Sequence, residues 1–318
     1  MPDDVCEDVA NKLLEGRPNT YTFTKALAEH YVFKHEGKFP ISIVRPSIVI
    51  SANSDPCPGW CDNVNGIAGL GCLAAIGLLR TIDWNYYATS DMVPVDYVAS
   101  CIICAAQHVS EKSPTKVKIF NMTSGESKPI SWGKFFDYLR KNAYVTPTTK
   151  IVRPIIHPPR HNRANPLSFV LTKYFSELLF AYFVDTILFL IGYKRCVVKI
   201  TNKMHHGYKI LLPFTSKQWD FKCDNVIALN DELSSEDRQR FKFGMKDFDW
   251  KQQAHITWYG GRQFILKEEP TEKSYHSGRS RQKYVTIVHY FFIMMFSAIA
   301  ISFSLSCWRV VSSAICRV

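Results

Sequence analysis

The chain has 318 residues, 47% of them hydrophobic, and a formal charge of +11. That composition can bury a core in two domains of ordinary size and excludes general disorder. The positive charge suits nucleic acid, an anionic membrane surface or a phosphate-bearing substrate; no zinc-finger or RNP pattern accompanies it, so nucleic acid is not an expected partner.

Met1 to Val5 is acidic and lacks the basic region and apolar run of a signal peptide. Up to about residue 145, helix-like and strand-like segments alternate as an α/β domain requires. Tyr21 to Phe33 reads as a helix, and Ile41 to Val44 and Ile48 to Ile50 read as β-branched strands bracketing a loop at Arg45-Pro46. Helices are expected at Gly66 to Leu79, Val95 to Gln107 and Trp132 to Asn142, with a strand at Val117 to Met122. Together they make half of a parallel sheet. The glycines of Gly66-Ile67-Ala68-Gly69-Leu70-Gly71 lack the order and the preceding strand of a phosphate-binding turn, and read as a small-residue helix face.

Pro147, Pro154, Pro158, Pro159 and Pro166 then mark residues 146–166 as a linker, because proline blocks helix and sheet alike. Its Arg153, Arg160 and Arg163 read as solvated charge or as an attractor for substrate phosphates. Residues 167–268 read as mainly helical. From Lys173 to Lys194 the chain is almost wholly apolar, but Glu177 and Asp185 interrupt it. Two carboxylates are costly in lipid, which predicts a buried helix or a hairpin touching a membrane surface rather than a span. Ser234-Ser235-Glu236-Asp237 reads as a helix N-cap with acidic first-turn residues. Trp219, Phe221, Phe241, Phe243, Phe248, Trp250, Trp258 and Tyr259 are expected in the core of this module. His205-His206 is expected at the surface and Cys101-Ile-Ile-Cys104 as buried thiols, so no metal is expected.

A polar tether, 269–283, leads to residues 284–308, which carry no charge at neutral pH unless His289 is protonated. As a helix that segment is about 37 Å long, enough to cross a membrane of about 30 Å. Arg279, Arg281 and Lys283 precede it, against Arg309 and Arg317 after it, so the main body is expected on the cytosolic side of a single-pass anchor.

The chemistry rests on Pro18-Asn19-Thr20-Tyr21-Thr22-Phe23-Thr24-Lys25. Four apart at a helix start, Tyr21 and Lys25 share one face. A carbonyl that takes up hydride becomes an alkoxide, and a phenol is a poor acid near neutral pH until a neighbouring ammonium makes it stronger. Lys25 can do this, and can also hold a cofactor ribose.

Together with this stretch, Arg45-Pro46-Ser47-Ile48-Val49, Pro58-Gly59-Trp60-Cys61-Asp62-Asn63 and Asp91-Met92-Val93-Pro94-Val95-Asp96 carry a resemblance to the fatty acyl-CoA reductases. Trp219-Asp220-Phe221, Leu233 to Asp237, Phe248-Asp249-Trp250 and Tyr259-Gly260-Gly261-Arg262 resemble the helical C-terminal domain of that family. The resemblance implies a partial Rossmann-like domain of the extended short-chain reductase type at 1–145, a helical domain at 167–268 and a C-terminal transmembrane helix. It also implies two successive NADPH-dependent reductions of a long-chain fatty acyl-CoA, at the endoplasmic reticulum or peroxisome. Tyr21 would then be the proton donor and Lys25 its ribose-binding partner; Pro46, Ser47 and Ile48 would line the nicotinamide by backbone contacts, and Gly59, Trp60, Asp62 and Asn63 would lie near the thioester. The family's glycine-rich turn and its serine before the tyrosine motif are not found here, so the chain alone is expected to bind NADPH poorly. A different extended short-chain reductase or epimerase, and a non-catalytic membrane lipid-binding paralogue, stay open as readings.

Overall fold

The computed structural model describes residues 14, 16–17, 19–64, 66–82, 84–155 and 166–315. Pro18, Pro158, Pro159, Arg160, Arg163 and Arg317 lie outside them. Helix α1, Thr20–Phe33, starts where the Asn19 side chain accepts the Thr22 N–H at 3.0 Å. Strands β1, Ser42–Pro46, and β2, Ile48–Ile50, follow. Strand β3, Met92–Pro94, lies parallel to β2 with Ile48 opposite Met92, and β4, Lys118–Met122, lies parallel to β1 with Ser42 opposite Lys118. At the junction the Ser47 N–H donates to Met122 O at 2.9 Å and the Ile48 N–H to Asp91 O at 3.1 Å. Arg45 and Pro46 therefore belong to a strand, not to the expected loop; both are exposed, where a strand proline is tolerated.

Helix α2, Gly66–Ala75, stops short of the expected Leu79, since Gly77 turns in the left-handed region and its backbone meets Arg153. Helix α3, Val95–Lys112, outruns its expected end and closes on a left-handed Ser113. Helix α4, Trp132–Val145, is capped by Ser131, which accepts the Lys134 N–H at 3.2 Å.

Beyond residue 166 come α5, Pro166–Leu171, a π-helical segment Thr172–Leu178, α6, Leu179–Leu190, and α7, Val197–Thr215. Then follow α8, Asp224–Glu232, α9, Ser235–Arg240, α10, Trp250–Gly260, a second π-helical segment Gly261–Ile265, and the long α11, Glu272–Ile315. Ser234 caps α9 by accepting the Asp237 N–H, with Glu236 and Asp237 in the first turn, as its sequence predicts.

One core runs through both regions. Met92, Phe120 and Phe135 from the α/β part cluster with Phe243, Phe248, Trp250 and Trp258 from the helical part. Trp219, Phe221 and Tyr259, expected in that core, are exposed; the rings of Trp219 and Phe221 stack on each other outside it, 6.4 Å apart. The proline-rich stretch is not a free linker as far as residue 155. Thr148, Ile151 and Arg153 are buried, and the N–H groups of Val152 and Arg153 both reach Ile76 O. Proline forbids regular structure, not burial. Arg153 is thus neither solvated nor open to a substrate phosphate: it donates to Ser176 O at 2.5 Å and stacks on Phe180 at 4.0 Å.

The two carboxylates of the apolar stretch each close a junction. Glu177 is buried and accepts from the Arg80 N–H at 2.7 Å, the Thr81 N–H at 2.8 Å and the Thr81 hydroxyl at 3.0 Å, while its other oxygen meets His205 Nε2 at 2.6 Å. His205 is therefore buried, contrary to its expected surface position; His206 is exposed. Asp185 takes the N–H groups of Cys196, Val197 and Val198 at the start of α7, so α6 and α7 form a hairpin. Burial pushes the Asp185 carboxyl up, but those three bonds outweigh it and hold it below its ordinary range.

Of the expected polar tether, 269–283, residues 272–283 are the opening turns of α11 and are fastened to the body. Arg262, buried, binds Glu268 and the Ser274 hydroxyl and lies over the Tyr275 ring at 4.6 Å. Gly278 lies where a Cβ would strike Pro147 O, and Arg281 donates to Ile151 O at 2.9 Å. Among the described residues, Glu272–Ser306 is the one helical stretch long and apolar enough to cross a membrane.

Replacing Glu177 by alanine leaves two backbone N–H groups and His205 buried without their acceptor. Each buried donor left without an acceptor in this way costs about 1–3 kcal/mol. The Glu177→Ala chain in detergent should melt at a clearly lower temperature than the parent; an equal midpoint would show that these contacts do not form.

Candidate functional site

Tyr21, Lys25 and Glu29 are spaced four apart and share one face of α1. Lys25 Nζ stands 5.7 Å from the Tyr21 ring centroid. No residue of α1 is buried, and Tyr21 is 64% exposed, so its hydroxyl is open to a ligand. One turn further on, Glu29 holds Arg45 by two bonds, 2.8 Å from Nε and 2.5 Å from NH2. The bond to Glu29 raises the Arg45 pKa above its ordinary value. A two-pronged guanidinium–carboxylate pair fixes orientation as well as distance, so the Tyr21–Lys25 face is registered against the end of β1.

That strand end leads into Pro46, Ser47 and Ile48. Proline has no N–H, and those of Ser47 and Ile48 are committed to Met122 and Asp91. The polar group left over is the Ser47 hydroxyl, which is buried and has no partner. A buried hydroxyl without a partner calls for a ligand atom or water, and the amide of a nicotinamide ring fits that need.

The 52–63 loop is held from two sides. Asp96, at the start of α3, accepts the N–H groups of Asn53, Ser54 and Asp55 at 2.9, 2.8 and 3.2 Å. From the other side comes α10. Gly59 is buried in the left-handed region, and a Cβ there would lie 2.4 Å from Ile256 O; one on Gly260 would lie 1.8 Å from Gly59 O. Gln253, fully buried, joins this contact by accepting from Asn53 Nδ2 at 2.8 Å and donating to Ser51 O at 3.0 Å, and Ser51 and Thr257 share a hydroxyl bond of 2.8 Å. Trp60 is half-buried beside this contact, while Asp62 and Asn63 are exposed and bonded to each other at 2.7 Å.

Below the loop a small apolar cavity of about 40 Å³ opens between α2, α4 and α10, lined by Gly71, Cys72, Leu139, Ala143 and Trp258. Burial pushes the Cys72 thiol up to about 12, and Cys61 beside it adds to the shift. Cys101, on the buried face of α3, is pushed to about 12 by burial in the same way. Neither behaves as a nucleophile.

The structure thus brings Tyr21 and Lys25 together and ties them to β1, whose end at Pro46 leads through Ser47 to Ile48 at the start of β2. Gly59 and Trp60 belong to a separate construction against α10. Sequence reasoning missed Asp96, Gln253 and Thr257 as the residues that shape this loop. Asp96 stood in a quoted motif, but no spacing rule marks an aspartate that binds a loop more than forty residues behind it.

Two family models match, both described as male sterility protein: an NAD-binding model over residues 1–102 and a C-terminal model over 176–268. The chain is 34% identical over 269 residues to fatty acyl-CoA reductase 1 of Rattus norvegicus, covering 85% of this chain and 52% of that protein. It is 32% identical to fatty acyl-CoA reductase 1 of Homo sapiens, with the same coverage. Fatty acyl-CoA reductase 2 of Mus musculus is 32% identical over 272 residues, again 85% of this chain and 52% of its own length. The chain spans about half the length of the curated relatives it matches.

Gly260→Ala should force α10 away from the 52–63 loop, because the colliding atom is backbone and cannot rotate aside. Overpacking of this kind costs about 1–3 kcal/mol. Limited proteolysis should cut the variant faster within residues 52–63; an unchanged cleavage pattern and melting temperature would show that the two backbones do not touch.

Proposed function

The chain belongs to the fatty acyl-CoA reductase family, and we propose that its residues catalyse NADPH-dependent reduction of a long-chain fatty acyl-CoA to a primary alcohol, with release of CoA. The observation that supports this most directly is the exposed Tyr21–Lys25 pair, registered on β1 through Glu29 and Arg45. The NAD-binding match implies a nicotinamide cofactor; NADPH is the form proposed. When bound, that cofactor supplies the hydride for each of the two reductions.

The remaining work falls to the protein. Tyr21 Oη donates a proton to the carbonyl oxygen as negative charge builds there. Lys25 stabilises the phenolate that remains and holds the cofactor ribose, so proton donor and hydride source share one frame. Ser47 Oγ takes the nicotinamide amide, while Pro46 and Ile48 wall the ring. At the thioester, the half-buried Trp60 ring packs against the acyl segment, Gly59 lets the loop approach α10, and Asp62 and Asn63 present polar atoms to the CoA side. The residues from 284 onward in α11 anchor this assembly in a membrane by a single pass, with the catalytic body on the cytosolic side.

The test uses a chimera in which this chain replaces the matched region of the rat relative. With NADPH and palmitoyl-CoA, mass spectrometry should detect hexadecanol, and Tyr21→Phe should lower its formation by about a hundredfold or more, the scale of a positioned proton donor. Lys25→Ala should also weaken NADPH binding. A Tyr21→Phe protein with the parent rate would overturn the assignment.

A further inference from the structure

The α6–α7 hairpin exposes an apolar surface that none of the described residues covers. Tyr182, Ile187, Phe189, Leu190, Ile191 and Tyr193 are all exposed, and Leu190 at the tip is 75% exposed. An exposed apolar patch on a soluble face is an aggregation hazard unless something covers it. Three observations say what does.

First, the hairpin continues the surface of the membrane-length helix. The Phe183 ring of α6 meets Phe292 of α11 at 6.4 Å, inside the apolar stretch of that helix. Second, its charge has one sign. From residue 186 to residue 219 the chain carries Lys194, Arg195, Lys199, Lys203, Lys209 and Lys217 and no Asp or Glu, and all six cations are exposed. Third, its acidic groups are closed off: Asp185 is bonded to the start of α7 and Glu177 to Arg80, Thr81 and His205, so no free carboxylate faces outward from the apolar side.

We propose that the α6–α7 hairpin is a second membrane element, lying in the headgroup layer of an anionic bilayer beside α11 with its aromatic and aliphatic side chains among the acyl tails. Helix α6 continues the π-helical segment, whose Glu177 is buried against the body; the 12 residues of α6 beyond it make about 18 Å, short of the about 30 Å needed to cross. Lys194 and Arg195, directly after the apolar tip, also hold it at the interface, where lysine and arginine stems lie along apolar surface with their charges at the headgroups. Arg195 already lies over the Phe189 ring at 5.3 Å, an aromatic–cation pairing suited to that depth. The proposal rests on the membrane reading of α11, and goes beyond it in placing a second, non-spanning contact.

The test places p-benzoylphenylalanine in the full chain at Leu190, at Ile299 of α11 and, as background, at Tyr31 of α1. Each protein is reconstituted in phosphatidylcholine vesicles with or without phosphatidylserine and irradiated, and adducts are read by mass spectrometry. Lipid adducts at 190 well above the Tyr31 level, falling several-fold when phosphatidylserine is left out, support the proposal. Adducts at 299 but none at 190 overturn it and leave the α11 anchor standing. Lipid at 190 without lipid at 299 supports the hairpin and refutes the span. Protein–protein adducts at 190 in place of lipid overturn it as well, because another polypeptide then covers the surface.

Discussion

Two glycines from distant parts of the chain touch backbone to backbone, and the arrangement of the site follows from that contact. Gly59 and Gly260 approach so closely that a single methyl group on either would collide with the other's main chain or its neighbour. Only without those side chains can α10 lie against the 52–63 loop. Once it does, Gln253 and Thr257 come within bonding distance of Ser51 and Asn53, and their polar atoms are satisfied in a place that water does not reach. Asp96 then fixes the opposite side of the loop. The helical region is therefore not a module appended to an α/β domain; it is one wall of the loop, and the two regions bury a common core.

A second set of contacts governs how that body stands relative to the hydrophobic elements. Glu177 joins the Arg80–Thr81 backbone to His205, and Arg153 joins the 146–155 stretch to Ser176 and Phe180. Burial pulls the guanidinium pKa values of both Arg80 and Arg153 below the ordinary value, the nearby Glu177 opposing the shift in each case. Buried charges of this kind persist because each has a partner, and their geometry admits few alternatives. Arg262, Arg279 and Arg281 do the same for α11, fastening its opening turns to Thr146, Val145 and Ile151. A helix anchored this way carries the folded body at a set distance and orientation from any membrane it enters, which a flexible connection would not.

The Tyr21–Lys25 face has the opposite character. It is exposed, supported by one ion pair and no buried side chain. In the proposed reaction such a face depends on a bound cofactor and substrate to exclude water around the reacting atoms, and Tyr21 would donate its proton only when that enclosure has formed. Openness here and tight packing at the 52–63 loop are compatible, because the loop must hold a shape while the tyrosine must remain accessible.

Sequence alone determined the local order: where α1, α3 and α4 begin, the capping serine of α9, the β-branched strands, the apolar C-terminal helix and the helical spacing of Tyr21 and Lys25. These are properties of neighbouring residues, set by periodicity, caps and side-chain bulk, and neighbours are what a sequence displays. Glu177 and Asp185 were visible as anomalies in an apolar run, though not as the bonds they make. Tertiary structure decided the rest. It placed the three-residue β3, too short to show a period, by pairing it with β2; it buried Arg153 and His205 and exposed Trp219, Phe221 and Tyr259. It also decided what Gly59, Asp96 and Gln253 are for, since a close approach or a shared polar network between residues some forty to two hundred positions apart depends on which surfaces the fold brings together, and no local pattern encodes that.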